Sequence, residues 1–101
     1  MRLIWSKEAL NKLTEIEDFI AEDNIENAIR FIDFLISHSL LIENNPKIGR
    51  IVPEFSEPNI RELIIKGYRV VYRIKEERIE IVTVFEGHRL IKRDEIFKEE
   101  E

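Results

Sequence analysis

The residues best suited to chemistry are four arginines and a histidine in the stretch 60–89, IRELIIKGYRVVYRIKEERIEIVTVFEGHR. The guanidinium groups of Arg61, Arg69, Arg73 and Arg89 stay protonated, so none of them can act as a base. They can grip phosphate or carboxylate oxygens bidentately and stabilise charge that develops on a phosphoryl group. Cleavage of RNA through its 2′-hydroxyl needs no metal, but it does need an acid and a base beside the scissile phosphate. Tyr68, Tyr72 and His88 are the candidates in reach for that proton traffic. His88, just past Gly87, also reads as an ordinary solvent-facing loop residue, and His38 reads as a polar-face helix residue.

Other chemistries find little support. The chain has no GxxxxGK[ST] or GxGxxG to cradle a nucleotide, and no HExxH or His/carboxylate cluster at metal spacing, so neither metal nor cofactor is expected. Cysteine is absent, which removes disulfide and thiolate chemistry and suits a reducing compartment. No apolar run has the length of a membrane span and no signal pattern opens the sequence, so the expected location is the cytoplasm, away from membrane.

Three apolar runs rich in Ile, Val, Tyr and Phe must position the arginines: Ile60–Ile65, Tyr68–Ile74 and Ile79–Phe85. Short breaks at Lys66-Gly67 and Glu76-Glu77 predict a three-stranded antiparallel meander. With Glu76-Glu77 as a two-residue loop, Ile74 faces Ile79, Tyr72 faces Ile81, Val70 faces Thr83 and Tyr68 faces Phe85 on one apolar side. The other side then carries Arg69, Val71, Arg73, Glu80, Val82 and Val84, a displayed arginine face on an aliphatic floor. Arg61 is open: a two-residue Lys66-Gly67 loop puts it beside Tyr72, and a glycine bulge moves it to the arginine side.

Ahead of the sheet, Arg2–Trp5 reads as an opening strand. Ser6 suits an N-cap, and Ala9, Leu13, Ile16 and Ile20 recur at helical spacing over 7–21. Asp23 and Glu26 have capping-box spacing for a second helix from about 25 to 43, which ends before Pro46. That helix is apolar well beyond one stripe, so it is buried on two sides or it keeps a face for a partner. Residues 44–58 form an ordered loop, 90–97 a strand extension or one helical turn, and 98–101 a mobile acidic tail. The whole reads as one α+β domain over 1–101: an N-terminal strand, a two-helix hairpin and the meander, as a four-stranded sheet packed on helices.

The charge is unevenly spread. The formal net charge is −5, yet residues 59–93 hold 9 Lys/Arg against 5 Asp/Glu. Residues 1–58 hold 6 against 11, and residues 94–101 hold 1 against 5. The sheet is thus a basic patch in an acidic chain, able to attract polyanions over about a Debye length or simply to solvate an exposed strand face.

Taken in order, Gly49-Arg50, Ile60-Arg61-Glu62-Leu63, Gly67-Tyr68-Arg69-Val70-Val71-Tyr72-Arg73 and Val84-Phe85-Glu86-Gly87-His88-Arg89 resemble the RelE/ParE superfamily of type II toxin–antitoxin modules. The resemblance implies a small toxin neutralised by a cognate antitoxin that wraps it with helical and strand segments, in a possible toxin–antitoxin heterotetramer. It gives Phe31, Phe34 and Leu35 a reason to face that antitoxin. RelE-like members cleave mRNA on the ribosome, which would make Arg69, Arg89 and His88 catalytic here. However, Glu62 stands where those members tend to carry a lysine, and Phe97 is the nearest match to their C-terminal tyrosine. The IREL segment, helical hairpin and GR loop look more like ParE, whose members poison DNA gyrase. On that branch Arg61, Arg69, Arg73 and Arg89 would bind the target without intrinsic catalysis. A non-toxic homologue serving as an interaction module is the third reading.

Overall fold

A computed structural model describes residues 1–87 and 89–97. The expected order of elements is present. Strand β1 (Arg2–Trp5) leads into helix α1 (Lys7–Ala21) and helix α2 (Ile25–Ser39). A short helix α3 (Leu41–Asn44) and a two-residue strand β2 (Arg50–Ile51) follow. Then come β3 (Ile60–Ile65), β4 (Tyr68–Ile74), β5 (Arg78–Glu86) and a last turn of helix, α4 (Arg93–Phe97). The sheet order is β1-β5-β4-β3-β2, with β1 parallel to β5 and every other pair antiparallel. The fold is the expected α+β arrangement with β2 added as a fifth strand.

Local signals set the helix bounds. The Ser6 hydroxyl accepts from the Ala9 amide at 3.0 Å and donates to the Val82 carbonyl at 2.8 Å, so one side chain caps α1 and ties it to β5. The cap of α2 is Asn24, not Asp23: its side chain accepts from the Asn27 amide at 2.9 Å. The second helix also stops earlier than its apolar run. The buried Ser39 hydroxyl donates back to the Leu35 carbonyl at 2.7 Å, and the Leu40 amide takes up tighter bonds before α3 begins. Such back-bonding competes with the helical ladder.

The β3–β4 connection is a two-residue turn in which Lys66 (φ 49°) and Gly67 (φ 85°) both have positive φ, as a type I′ hairpin requires. It fixes the register, Ile65 opposite Tyr68 and Arg61 opposite Tyr72. The β4–β5 pair follows the expected register only from Ile74↔Ile79 to Tyr72↔Ile81. A bulge between Val71 and Tyr72 then shifts the pairing to Val71↔Thr83, Val70↔Val84, Arg69↔Phe85 and Tyr68↔Glu86. One extra residue on β5 exchanges the faces of Thr83, Val84 and Phe85 relative to simple alternation.

Two cores result. Between helices and sheet lie Ala9, Leu13, Ile32, Leu35, Val70, Tyr72, Ile79, Ile81 and Val84 among others. On the opposite face Ile60, Val71, Val82 and Phe85 are covered by Val52, Ile91 and Ile96, with Phe55 and Phe97 packed alongside. The loop after β2 and the segment after β5 therefore fold over the face expected to be open. That covering is what turns the arginine side from a displayed surface into a second interior.

Candidate functional site

Arg69 sits at the centre of this second core and is only 4% exposed. Its Nε donates to Glu62 Oε1 at 2.5 Å, and its Nη1 and Nη2 fork onto Glu54 at 2.9 and 2.8 Å. Nη1 also reaches the Arg89 carbonyl at 2.9 Å. Glu62, itself 1% exposed, takes Arg50 Nε on its other oxygen at 2.6 Å. Glu54 accepts the Ile91 amide at 3.2 Å. Two carboxylates and two cations thus form a connected chain that staples the loop after β2 and the segment after β5 onto the sheet. Arg69's fork onto Glu54 is the main reason that carboxyl is held down at about 2 against burial, which pushes the other way. The same bonds raise the Arg69 pKa.

A guanidinium held this way has little left for a visiting phosphate, so the expectation that Arg69 is displayed is corrected. The physical reason is Glu62. Directly opposite Arg50 and diagonal to Arg69 in the strand register, it neutralises both from inside the sheet.

The other arginines are dispersed. Arg61 falls on the Tyr72 side of the sheet and donates to the Pro58 and Gly49 carbonyls at 2.9 and 3.0 Å, so it braces the loop before β3. Arg89 pairs with Glu95 and lies over the Phe85 ring at 4.9 Å, on which Arg69 also stacks at 5.1 Å. Arg73 is half-buried, with its guanidinium 4.9 Å from the Phe97 ring. Arg93, which spacing did not single out, shares that ring at 4.4 Å and pairs with Glu57 at 2.9 Å. The structure brings Arg69 with Arg89 and Arg73 with Arg93, and it leaves Arg61 apart. His88 and residues 98–101 lie outside the described residues.

Neither tyrosine is placed for proton transfer beside Arg69. The Tyr72 hydroxyl donates to the Pro46 carbonyl at 2.6 Å and accepts the Gly49 amide at 2.9 Å, on the helix side of the sheet. Burial pushes its pKa up. Tyr68 is raised by burial first and by Glu86 second, and its ring meets Phe31 edge-on at 5.4 Å. Gly49 is required where it stands: a Cβ there would lie 2.5 Å from the Glu62 carbonyl oxygen and 2.6 Å from the Tyr72 hydroxyl. No group of three or more His, Cys, Asp or Glu among the described residues could hold a metal ion.

Of the three residues expected to meet an antitoxin, two have surface to offer. Phe34 is 40% exposed, stacks on His38 and lies under the Lys66 amine at 4.6 Å. Phe31 is half-buried beside it, and the two line an open hollow with Asn27, Arg30 and Lys66. Leu35 is corrected: it is 0% exposed, about 100° round the helix from Phe34 and locked in the main core.

The family model described as "ParE toxin of type II toxin-antitoxin system, parDE" matches residues 3–91. The chain belongs to the ParE toxin family. A chain solved as "Chromosomal ParDE TA system from P. aeruginosa" superposes with a TM-score of 0.73 at 20% identity, covering 85% of this chain and 95% of that one. At that identity the likeness is one of fold. No curated protein sequence matches. The motif residues of this ParE-family chain prove to hold one another: Gly49 to Tyr72 and Arg61, Arg50 to Glu62, and Glu62 to Arg69. They are joints of the fold before they are contacts for anything else. Glu54 was the residue least open to sequence reasoning, since it sits in a loop with no period; Glu62 could have been found from its placement between arginines of neighbouring strands.

Proposed function

We propose that this ParE-family chain inhibits growth by binding DNA gyrase, without chemistry of its own, and is held inactive in the cytoplasm by a cognate antitoxin. The observation that carries this reading is the saturation of Arg69 by Glu54 and Glu62 in a buried site. A ribonuclease needs a cation at the scissile phosphate together with an acid and a base, and a buried guanidinium already bonded to two carboxylates serves neither the binding nor the charge stabilisation. A protein that works by occupying a surface needs only shape and peripheral charge, which Arg73, Arg89 and Arg93 supply around the last helical turn. The half-exposed Phe31 and Phe34 with Lys66 supply an aromatic, cationic seat for an acidic and apolar stretch of antitoxin.

Induction of the chain alone in a growing bacterium, scored by two readouts, tests the proposal. DNA breaks and filamentation with translation continuing at first are the expected result. Prompt translation arrest with codon-phased mRNA cuts would replace the proposal with ribonuclease action. Normal growth would leave an interaction module.

A further inference from the structure

A hollow of about 230 Å³ opens between α1 and the adjoining ends of β4 and β5. Lys12, Glu15, Ile16 and Phe19 reach it from one face of α1, where spacings of three, four and seven bring them together. Tyr68 at the start of β4, with Val84 and Glu86 near the end of β5, closes the other side. At about 30 Å³ for each water-sized group, there is room for a molecule of about seven or eight heavy atoms. The buried Ile16 and Val84 form an aliphatic floor, and Phe19 and Tyr68 form aromatic walls. Phe19 is 65% exposed, and the Tyr68 ring is held by its edge-on contact with Phe31. Phe85 also borders the hollow, but its ring belongs to the second core, where Arg69 and Arg89 lie over it.

The charges on the rim select what fits. Lys12 is spent on Glu15, its amine 3.6 Å from the carboxylate. Glu86 has no ion-pair partner among the described residues, and it stands close enough to Tyr68 to raise that phenol, second to burial. The rim therefore carries one uncompensated negative charge beside two aromatic side chains. An anion is repelled by it, and a neutral apolar guest would cover the carboxylate without supplying a counter-charge. A divalent metal needs more oxygen ligands than two carboxylates can bring, one of them already paired. An organic cation satisfies the whole set at once: its charge meets Glu86, its apolar groups meet Ile16 and Val84, and the aromatic faces attract it. The Phe31–Phe34 hollow asks for the opposite charge, with Arg30 and Lys66 among its lining residues.

We infer that the hollow between α1 and the ends of β4 and β5 binds a small organic cation, an alkylated ammonium of about the size of choline. Glu86 is its counter-charge, and Phe19 and Tyr68 are the aromatic walls on either side of it. The space takes such a molecule whole, so the ligand is a free small molecule. Because the hollow exists only when α1 is packed on the sheet, the ligand also stabilises the folded chain. The inference goes beyond the gyrase reading and concerns the chain by itself, so the two stand or fall separately.

Two probes of equal shape test it: choline, and its neutral isostere in which carbon replaces the quaternary nitrogen. Each is titrated into the full chain and followed by amide NMR. Choline should give saturable shifts at Phe19, Tyr68 and Glu86, and the isostere should bind about tenfold more weakly. Glu86→Gln should weaken choline by a similar factor and leave the isostere unchanged. Phe19→Leu keeps the apolar bulk and removes the aromatic face, so it should weaken choline more than the isostere. Glu77→Gln, the same charge change at the exposed turn before β5, should alter neither. Equal binding of the two probes would overturn the proposal. So would the absence of saturable shifts with choline, or choline binding that Glu86→Gln and Glu77→Gln weaken alike, since that would be a general attraction to an acidic protein.

Discussion

Removing the Arg69 side chain would strand the Glu62 carboxylate, whose side chain is 0% exposed, with Arg50 as its remaining cation among the described residues. Breaking a buried ion pair by deleting one partner costs about 3–5 kcal/mol, so Arg69→Ala should destabilise the chain by that amount in urea unfolding. Glu62→Ala should cost a comparable amount. The double variant should lose clearly less than the two singles together, because both delete the same bonds. Glu54 adds a pH signature. Its carboxyl is held at about 2 in the folded chain against an ordinary 4.5. The unfolded chain therefore takes up this proton first as pH falls, so the stabilisation is complete above about pH 4.5 and declines towards pH 2. Urea midpoints compared between about pH 6 and about pH 3 should fall for the parent chain and fall markedly less for Glu54→Gln.

At the scale of elements, the turn before β2 is set by a close approach. A Cβ at Gly49 would collide with the Glu62 carbonyl oxygen as well as the Tyr72 hydroxyl. Gly49→Ala should therefore cost about 2–3 kcal/mol, and Tyr72→Phe should fail to rescue it because the backbone contact persists. Removing the Asn24 cap in Asn24→Ala should cost about 1 kcal/mol, read from the same unfolding curves. The helices and strands themselves were legible in the sequence: α1 runs Lys7–Ala21 where Ser6 and the Ala9–Leu13–Ile16–Ile20 spacing place it. Strand faces were harder. In β5, Val82, Thr83, Val84 and Phe85 are all buried, because one face packs on the helices and the other on the second core. A strand covered on both sides carries no alternation, so nothing in its composition announces the bulge that reverses its parity. The second helix likewise continues as an apolar run past Ser39, its last residue, where a buried hydroxyl bonds back to the Leu35 carbonyl.

Across the whole molecule, the sheet separates a larger core under α1 and α2 from a smaller one under the loop after β2 and the segment after β5. Four arginines of the C-terminal half contribute to that smaller core: Arg69 is bonded inside it, and Arg73, Arg89 and Arg93 lie on its Phe85 and Phe97 rings. The charge asymmetry was visible in the sequence. Its use was not, since Val52, Phe55, Ile91, Ile96 and Phe97 lie in segments without a period and give no sign that they close over the arginine side. The ordered motifs pointed to the right family because they carry the joints of this architecture, and the same architecture removes Arg69 from the surface where catalysis would need it. On the proposed reading, the toxin acts by contact. The most direct measurement is a gyrase assay in which the purified chain is titrated against gyrase, ATP and relaxed plasmid. Loss of supercoiling with accumulation of gyrase-cleaved DNA near stoichiometric toxin is the predicted result, whereas supercoiling unchanged by a large excess of folded chain would contradict the account.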